Sequence, residues 1–242
     1  MAGRPRDAAV ATVRWGIPDA VLCYFAGLVA AVVTTSIAAG VSGQTDANGK
    51  SETAFVLAAA FVGQYGGTIA ALWWVSRRKG RGNLTDDFGL RIWAADWWML
   101  GAGALLEVSL AICLLPLQHI AGGKTQEVVN ELHNANGAKL AVLAVGAGVV
   151  APVVEELLFR GLLLRALLRR VPATSAVAIS AVTFALLHLV DPSIGTVVAL
   201  PALAAVGTVS GILAVRTGDL SKSILLHAGF NLVTVLAEIA TH

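Results

Sequence analysis

The chain has 242 residues, of which 57% are hydrophobic and only 13% charged, with a net charge of +2 and a mean hydropathy of +0.76. A water-soluble domain carries roughly 25% charged residues, so too few polar side chains are present to cover a surface in water, and a soluble globular class is excluded. The small basic excess forms no nucleic-acid face, because the Lys and Arg fall between apolar stretches; membrane lipid is the expected partner and nucleic acid is not.

Apolar runs lie near 16–41, 53–76, 95–117, 138–164, 173–190, 194–215 and 221–240, each the length of a membrane-crossing helix or close to it. The pattern predicts an all-α, polytopic transmembrane helix bundle of about seven spans, with an eighth or re-entrant segment as the alternative. The first run follows Arg4, Arg6 and Arg14 but exceeds the roughly 7–15 residues of a cleavable signal core, so it is read as a retained span. At its end Gly40, Val41, Ser42 and Gly43 spell GxSG beside Gln44, Thr45 and Asp46, a poor setting for a nucleophile. Gly63 with Gly67, and Gly207 with Gly211, have the spacing that lets helices approach closely in lipid. Glu107, alone in the third run, is read as structural. Residues 125–134 predict a short amphipathic helix with Val128, Val129 and Leu132 on one face and His133 in solvent. Cys23 and Cys113 are far apart within apolar runs, which suggests neither a disulfide framework nor a thiolate metal site.

Fourteen of the seventeen Lys and Arg fall toward one side of the membrane, in alternate loops or, as for Arg160, within the adjoining run, leaving Lys50, Lys124 and Lys139 on the other side. The positive-inside rule then predicts a cytoplasmic N-terminus and, with seven spans, a C-terminus outside. The sequon at Asn83, Leu84 and Thr85 falls on the cytoplasmic side in this scheme and is expected to carry no sugar.

Ionisable residues inside the membrane are expensive and point to function. The fourth run contains Glu155, Glu156 and Arg160, the fifth Phe184 and His188, and the seventh His227 and Asn231. Residues four apart share a helix face, so Glu156 pairs with Arg160, whereas Glu155 points about 100° away without a cation on its own helix. Glu155 is therefore expected to act as a general base and Glu156 to hold structure. Pro152 predicts a kink and a local opening beside Glu155. Glu156 and His188 lie equally far before and after the turn at Pro172, so an antiparallel hairpin brings them to one height, and His227 joins them in the cytoplasmic half of the bilayer. His227 and Asn231, also four apart, can donate two hydrogen bonds to one oxygen. Gly229 and Ala228 leave that stretch of backbone open to close substrate approach.

The ordered motifs EExxxR (Glu155, Glu156, Arg160), FxxxH (Phe184, His188) and HxxxN (His227, Asn231) resemble the CAAX prenyl protease type II family, also called CPBP or Abi, whose members are intramembrane endopeptidases. The resemblance covers roughly residues 140–240, with FGLR at Phe88–Arg91 as a faint echo. It implies residues 1–137 as N-terminal transmembrane helices and loops and 138–242 as the catalytic helical core of one structural domain. It implies that Glu155 activates water with His188 while His227 and Asn231 steady the oxyanion. Glu156 completes the catalytic set, with Arg160 and Phe184 in support. The implied substrate is a membrane-associated protein or peptide, of prenylated CAAX type in some members, and the implied location the plasma membrane of a bacterium. Glu155, His188 and His227 also make a His₂Glu set of the kind that binds zinc; the metal-free reading, with no cofactor, is preferred and zinc is the alternative. A proton-coupled transporter using Glu155 and His188 as a relay, and a non-catalytic immunity or scaffold protein, are the competing functions.

Overall fold

The computed structural model describes residues 13–43, 53–122, 127–135, 137–190 and 193–240. Arg4, Arg6, Lys50, Lys124, Gln44, Thr45, Asp46, Thr125, Gln126 and the side chain of Val128, to which some of the expectations above refer, lie outside them. Among the described residues the chain is helical throughout, in order α1 (Ile17–Ser42), α2 (Ala54–Lys79), α3 (Leu84–Phe88), a 3₁₀ turn (Ala94–Asp96) leading into α4 (Trp98–Ile120), α5 (Glu127–Asn134), α6 (Gly137–Leu168), α7 (Ala173–Leu187) and its 3₁₀ extension (His188–Val190), α8 (Ile194–Thr217) and α9 (Ser221–Ala240). Among the described residues six helices are long and apolar enough to cross a membrane, and the protein is an integral membrane protein. The fifth apolar run is the exception: α7 has 15 residues, or about 22 Å at 1.5 Å per residue against a core of about 30 Å, and ends as a 3₁₀ turn.

The helices pair as their small residues allow. A Cβ at Gly63 would collide with the backbone of Ala30 and Ala31, so α1 and α2 pack backbone to backbone. Gly211 faces Val177 of α7. Gly103 lies against the Leu226 and Phe230 backbone, and Gly229 against that of Leu100, which closes α4 onto α9. The bareness of Gly229 thus serves helix packing, not the expected approach of a substrate.

The cationic loops gather at one end of the bundle, where they are tied together. Arg14 N–H donates to the Lys79 carbonyl at 2.7 Å, and Leu220 N–H to Gly89 at 2.9 Å. Lys79 pairs with Asp19 at 2.6 Å, Arg165 donates to the Gly218 carbonyl at 2.8 Å and Arg169 to that of Trp15. The FGLR echo belongs to this clasp: Phe88 is fully buried with its Cβ against Gly161, and Gly89 turns the chain at φ +76°, where a side chain would be strained. Ser42 donates to Ala39 within its own helix turn, so the GxSG stretch caps α1. Leu132 of α5 is buried, while His133 is exposed and pairs with Glu238 at 3.0 Å. Both cysteines are free.

Candidate active site

The site is built on α6, where the backbone leaves α geometry twice, at the π segments Gly146–Val150 and Leu157–Leu164. Pro152 produces a widened turn instead of a simple kink. The Ala151 N–H reaches back five residues to the Gly146 carbonyl, and in that register the next carbonyl, Ala147, would need an N–H from Pro152, which has none. Asn231 of α9 fills the gap, its Nδ2 donating to the Ala147 carbonyl at 2.8 Å. This bond locks α9 to α6 at the level of the motifs. It also commits one of the two hydrogens of the amide that the sequence, together with His227, assigned to an oxyanion.

Glu155 and Glu156 separate as their phase predicts. Glu156 is fully buried; its Oε1 forms an ion pair with Arg160 Nη1 at 3.1 Å and accepts from His227 Nδ1 at 3.0 Å. Arg160, equally buried, donates Nη2 to the Gly207 carbonyl at 2.9 Å and lies over the Phe184 ring at 4.7 Å. A Cβ on Gly207 would stand 3.1 Å from that nitrogen and 3.2 Å from Ala181 Cα, so the α8 glycine spacing serves Arg160 as well as the helix contact. Phe184 is the hub between the histidines, meeting His188 edge-on at 4.8 Å and His227 at 5.5 Å. Glu155 instead keeps 21% of its side chain exposed, with Oε2 3.8 Å from His227 Nε2.

The tautomers follow from these partners. His188 Nδ1 lies 2.9 Å from the Phe184 carbonyl, which can only accept, so Nδ1 carries the hydrogen and Nε2 is the free nitrogen. His227 Nδ1 likewise faces a carboxylate, leaving Nε2 toward Glu155.

Glu155, His188, His227 and Asn231 line one cavity of about 400 Å³. Its walls are otherwise mostly apolar, including Ala111, Leu114, Val198, Ala202, Leu203 and Phe230. From Glu155 and His227 it runs to Gln118 near the end of α4 and to Leu132 of α5, away from the arginine-rich end and not into the half where the motifs were expected to converge. Two wall residues had no motif to mark them. Glu107, read as structural, lines this cavity and has a buried Oε2 without a hydrogen-bond partner in the structure. Tyr65 of α2 lines it too, beside Glu155, with its ring stacked on Phe61 at 5.7 Å. A signal was available: the chain has two tyrosines, Tyr24 and Tyr65, and both lie inside spans, away from the interfacial belt where the residue is usual.

Among the described residues no three His, Cys, Asp or Glu side chains group so as to hold a metal ion.

Residues 137–233 match the family described as Type II CAAX prenyl endopeptidase Rce1-like. No curated protein and no solved structure matches the chain.

Proposed function

We propose that this membrane protein, whose residues 137–233 align with the CAAX-type endopeptidases, hydrolyses a peptide bond of a membrane-associated polypeptide with Glu155 as general base. The observation that carries the reading is the contrast within one helix turn. Glu156 is buried with its Oε1 paired to Arg160 and His227, whereas Glu155 faces a cavity at membrane depth beside His188 and His227. Water between Glu155 and the free Nε2 of His188 gives its proton to the carboxylate as its oxygen bonds to the scissile carbonyl carbon. His227 Nε2, when protonated, and the remaining Asn231 amide hydrogen offer the developing oxyanion two donors. The C–N bond then breaks and the amine leaves with the proton that Glu155 received. Glu156, Arg160 and Phe184 act through the histidines as positioning residues. A cavity walled mostly by apolar side chains suits an apolar peptide segment, prenylated CAAX termini among the candidates. By the distribution of its cations the chain lies with its N-terminus in the cytoplasm, which suits a bacterial plasma membrane.

The test is cleavage by the full chain in lipid nanodiscs, offered a prenylated CAAX peptide and a fluorogenic transmembrane peptide. Glu155→Gln and His188→Ala are each expected to lower kcat by about 10²–10⁴-fold with an unchanged melting temperature. Full cleavage by both folded variants would overturn the reading.

A further inference from the structure

A second cavity, of about 250 Å³, lies on the other side of Glu155. The first two spans supply its polar wall, Tyr24 from α1 and Gln64, Tyr65 and Thr68 from α2, while Leu158 and Phe159 of α6 and Leu187 of α7 face them. Of the residues lining the two cavities, three are common to both: Tyr65, Glu155 and His188. The base and its histidine are thus a partition with a compartment on either side.

The compartments differ in what they can hold. The larger is the one with room for a peptide segment, and an apolar occupant there displaces water from its side of Glu155. Hydrolysis still consumes one water per bond, in a bilayer core that supplies none. The smaller has three hydroxyls and a carboxamide on its wall, and the Thr68 hydroxyl spends its hydrogen on the Gln64 carbonyl at 2.8 Å, which leaves its lone pairs free to accept. A water occupies about 30 Å³ of liquid and needs two to four polar partners, so this space takes several waters and has partners to hold them.

We propose that the smaller cavity is the water compartment of the enzyme, delivering the nucleophile to Glu155 and His188 from the side of α1 and α2 while the substrate fills the larger cavity. The inference rests on the hydrolase reading for its purpose, but it can be observed without catalysis. The first two spans, which lie outside the family match, then have a role beyond anchorage.

The experiment uses the full chain in lipid bilayers and reads water contact at the His188 imidazole nitrogens by water-edited solid-state NMR. Filling the larger cavity with Ala111→Phe and Ala202→Phe is expected to leave His188 in contact with water. Gln64→Leu with Thr68→Val in that filled background is expected to remove the contact. In a cleavage assay the Gln64→Leu, Thr68→Val pair alone lowers kcat about tenfold, the scale of one lost hydrogen bond to a reacting water, with KM unchanged. Should the pair not fold, Thr68→Val, which keeps the side-chain shape, lowers kcat in the same direction. A dry His188 once the larger cavity is filled, or unchanged kcat and water contact in the α2 variants, overturns the proposal. Absence of peptide cleavage by the unaltered protein, with the NMR result as expected, overturns the hydrolase reading and leaves the water compartment standing.

Discussion

The N-terminal and C-terminal helices meet the same bilayer under different constraints. In the most apolar window of α1, α2 and the span Ala94–Ile120, 17%, 22% and 6% of residues are buried, against 56% in α6 and 44% in α9. A helix whose neighbours are lipid tails needs only apolar side chains, and many sequences serve. A helix packed against its neighbours must set its polar groups beside specific partners, because an unsatisfied one costs several kcal/mol in lipid. Glu156 is paired with Arg160 and accepts from His227, and Arg160 donates to Gly207 and lies over Phe184, while Glu156 Oε2 and Arg160 Nε are left without a hydrogen bond; the spacings of the paired residues are correspondingly rigid.

The strongest way to break this contrast is Glu156→Gln. It removes one charge of a buried pair and leaves Arg160 uncompensated, a loss on the scale of about 3–5 kcal/mol. The variant is expected to melt far below the unaltered protein in nanodiscs and to lose cleavage with its fold. By comparison Leu22→Ala on α1, at a side chain 63% exposed, is expected to change stability by no more than about 0.5 kcal/mol. Equal melting of the two variants would remove the distinction between the regions.

The same contrast explains what could be read from the sequence. The seven apolar runs match the helices to within about four residues at each end, because hydropathy is what lipid selects. Pairing of Glu156 with Arg160 follows from helix periodicity alone. The π geometry of α6 is not legible in that way. Pro152 announces a defect, but whether the ladder kinks or widens depends on the Asn231 amide that takes up the Ala147 carbonyl, a contact 84 residues away in sequence. Glu107, Gln64 and Tyr65 belong to no motif of the sequence for a related reason. Glu107 sits singly in its span, the Gln64, Tyr65 and Thr68 group of α2 has no charged member to mark it, and only the crossing of α2 and α4 with α6 and α9 brings them to the cavities.

A smaller effect is expected where the two regions are joined. Gly103 of α4 lies directly on the Leu226 and Phe230 backbone of α9, next to His227. Gly103→Leu must push these helices apart, at about 1–3 kcal/mol for overpacking, and should reduce cleavage through displacement of His227. On the same helix Gly101 has open space around it, so Gly101→Leu should leave melting temperature and activity as they are. If both substitutions behave alike, α4 is anchored to the core by something other than this seam.

Tyr65→Phe is the mildest change and sharpens the comparison most, because it asks whether an N-terminal span takes part in the chemistry. The substitution keeps the ring on Phe61 and deletes only the hydroxyl facing Glu155, so packing, melting temperature and KM are expected to hold. The hydroxyl is one of the few polar groups at the partition between the cavities; losing a hydrogen bond from it to the reacting water should lower kcat by about tenfold, the equivalent of about 1.4 kcal/mol. A purely structural tyrosine would move the melting temperature and leave kcat alone. Steady-state cleavage beside a thermal melt of the same preparation separates the outcomes: a fall in kcat at constant stability makes α2 part of the active site, and the reverse pattern returns α1 and α2 to the role of lipid-facing support.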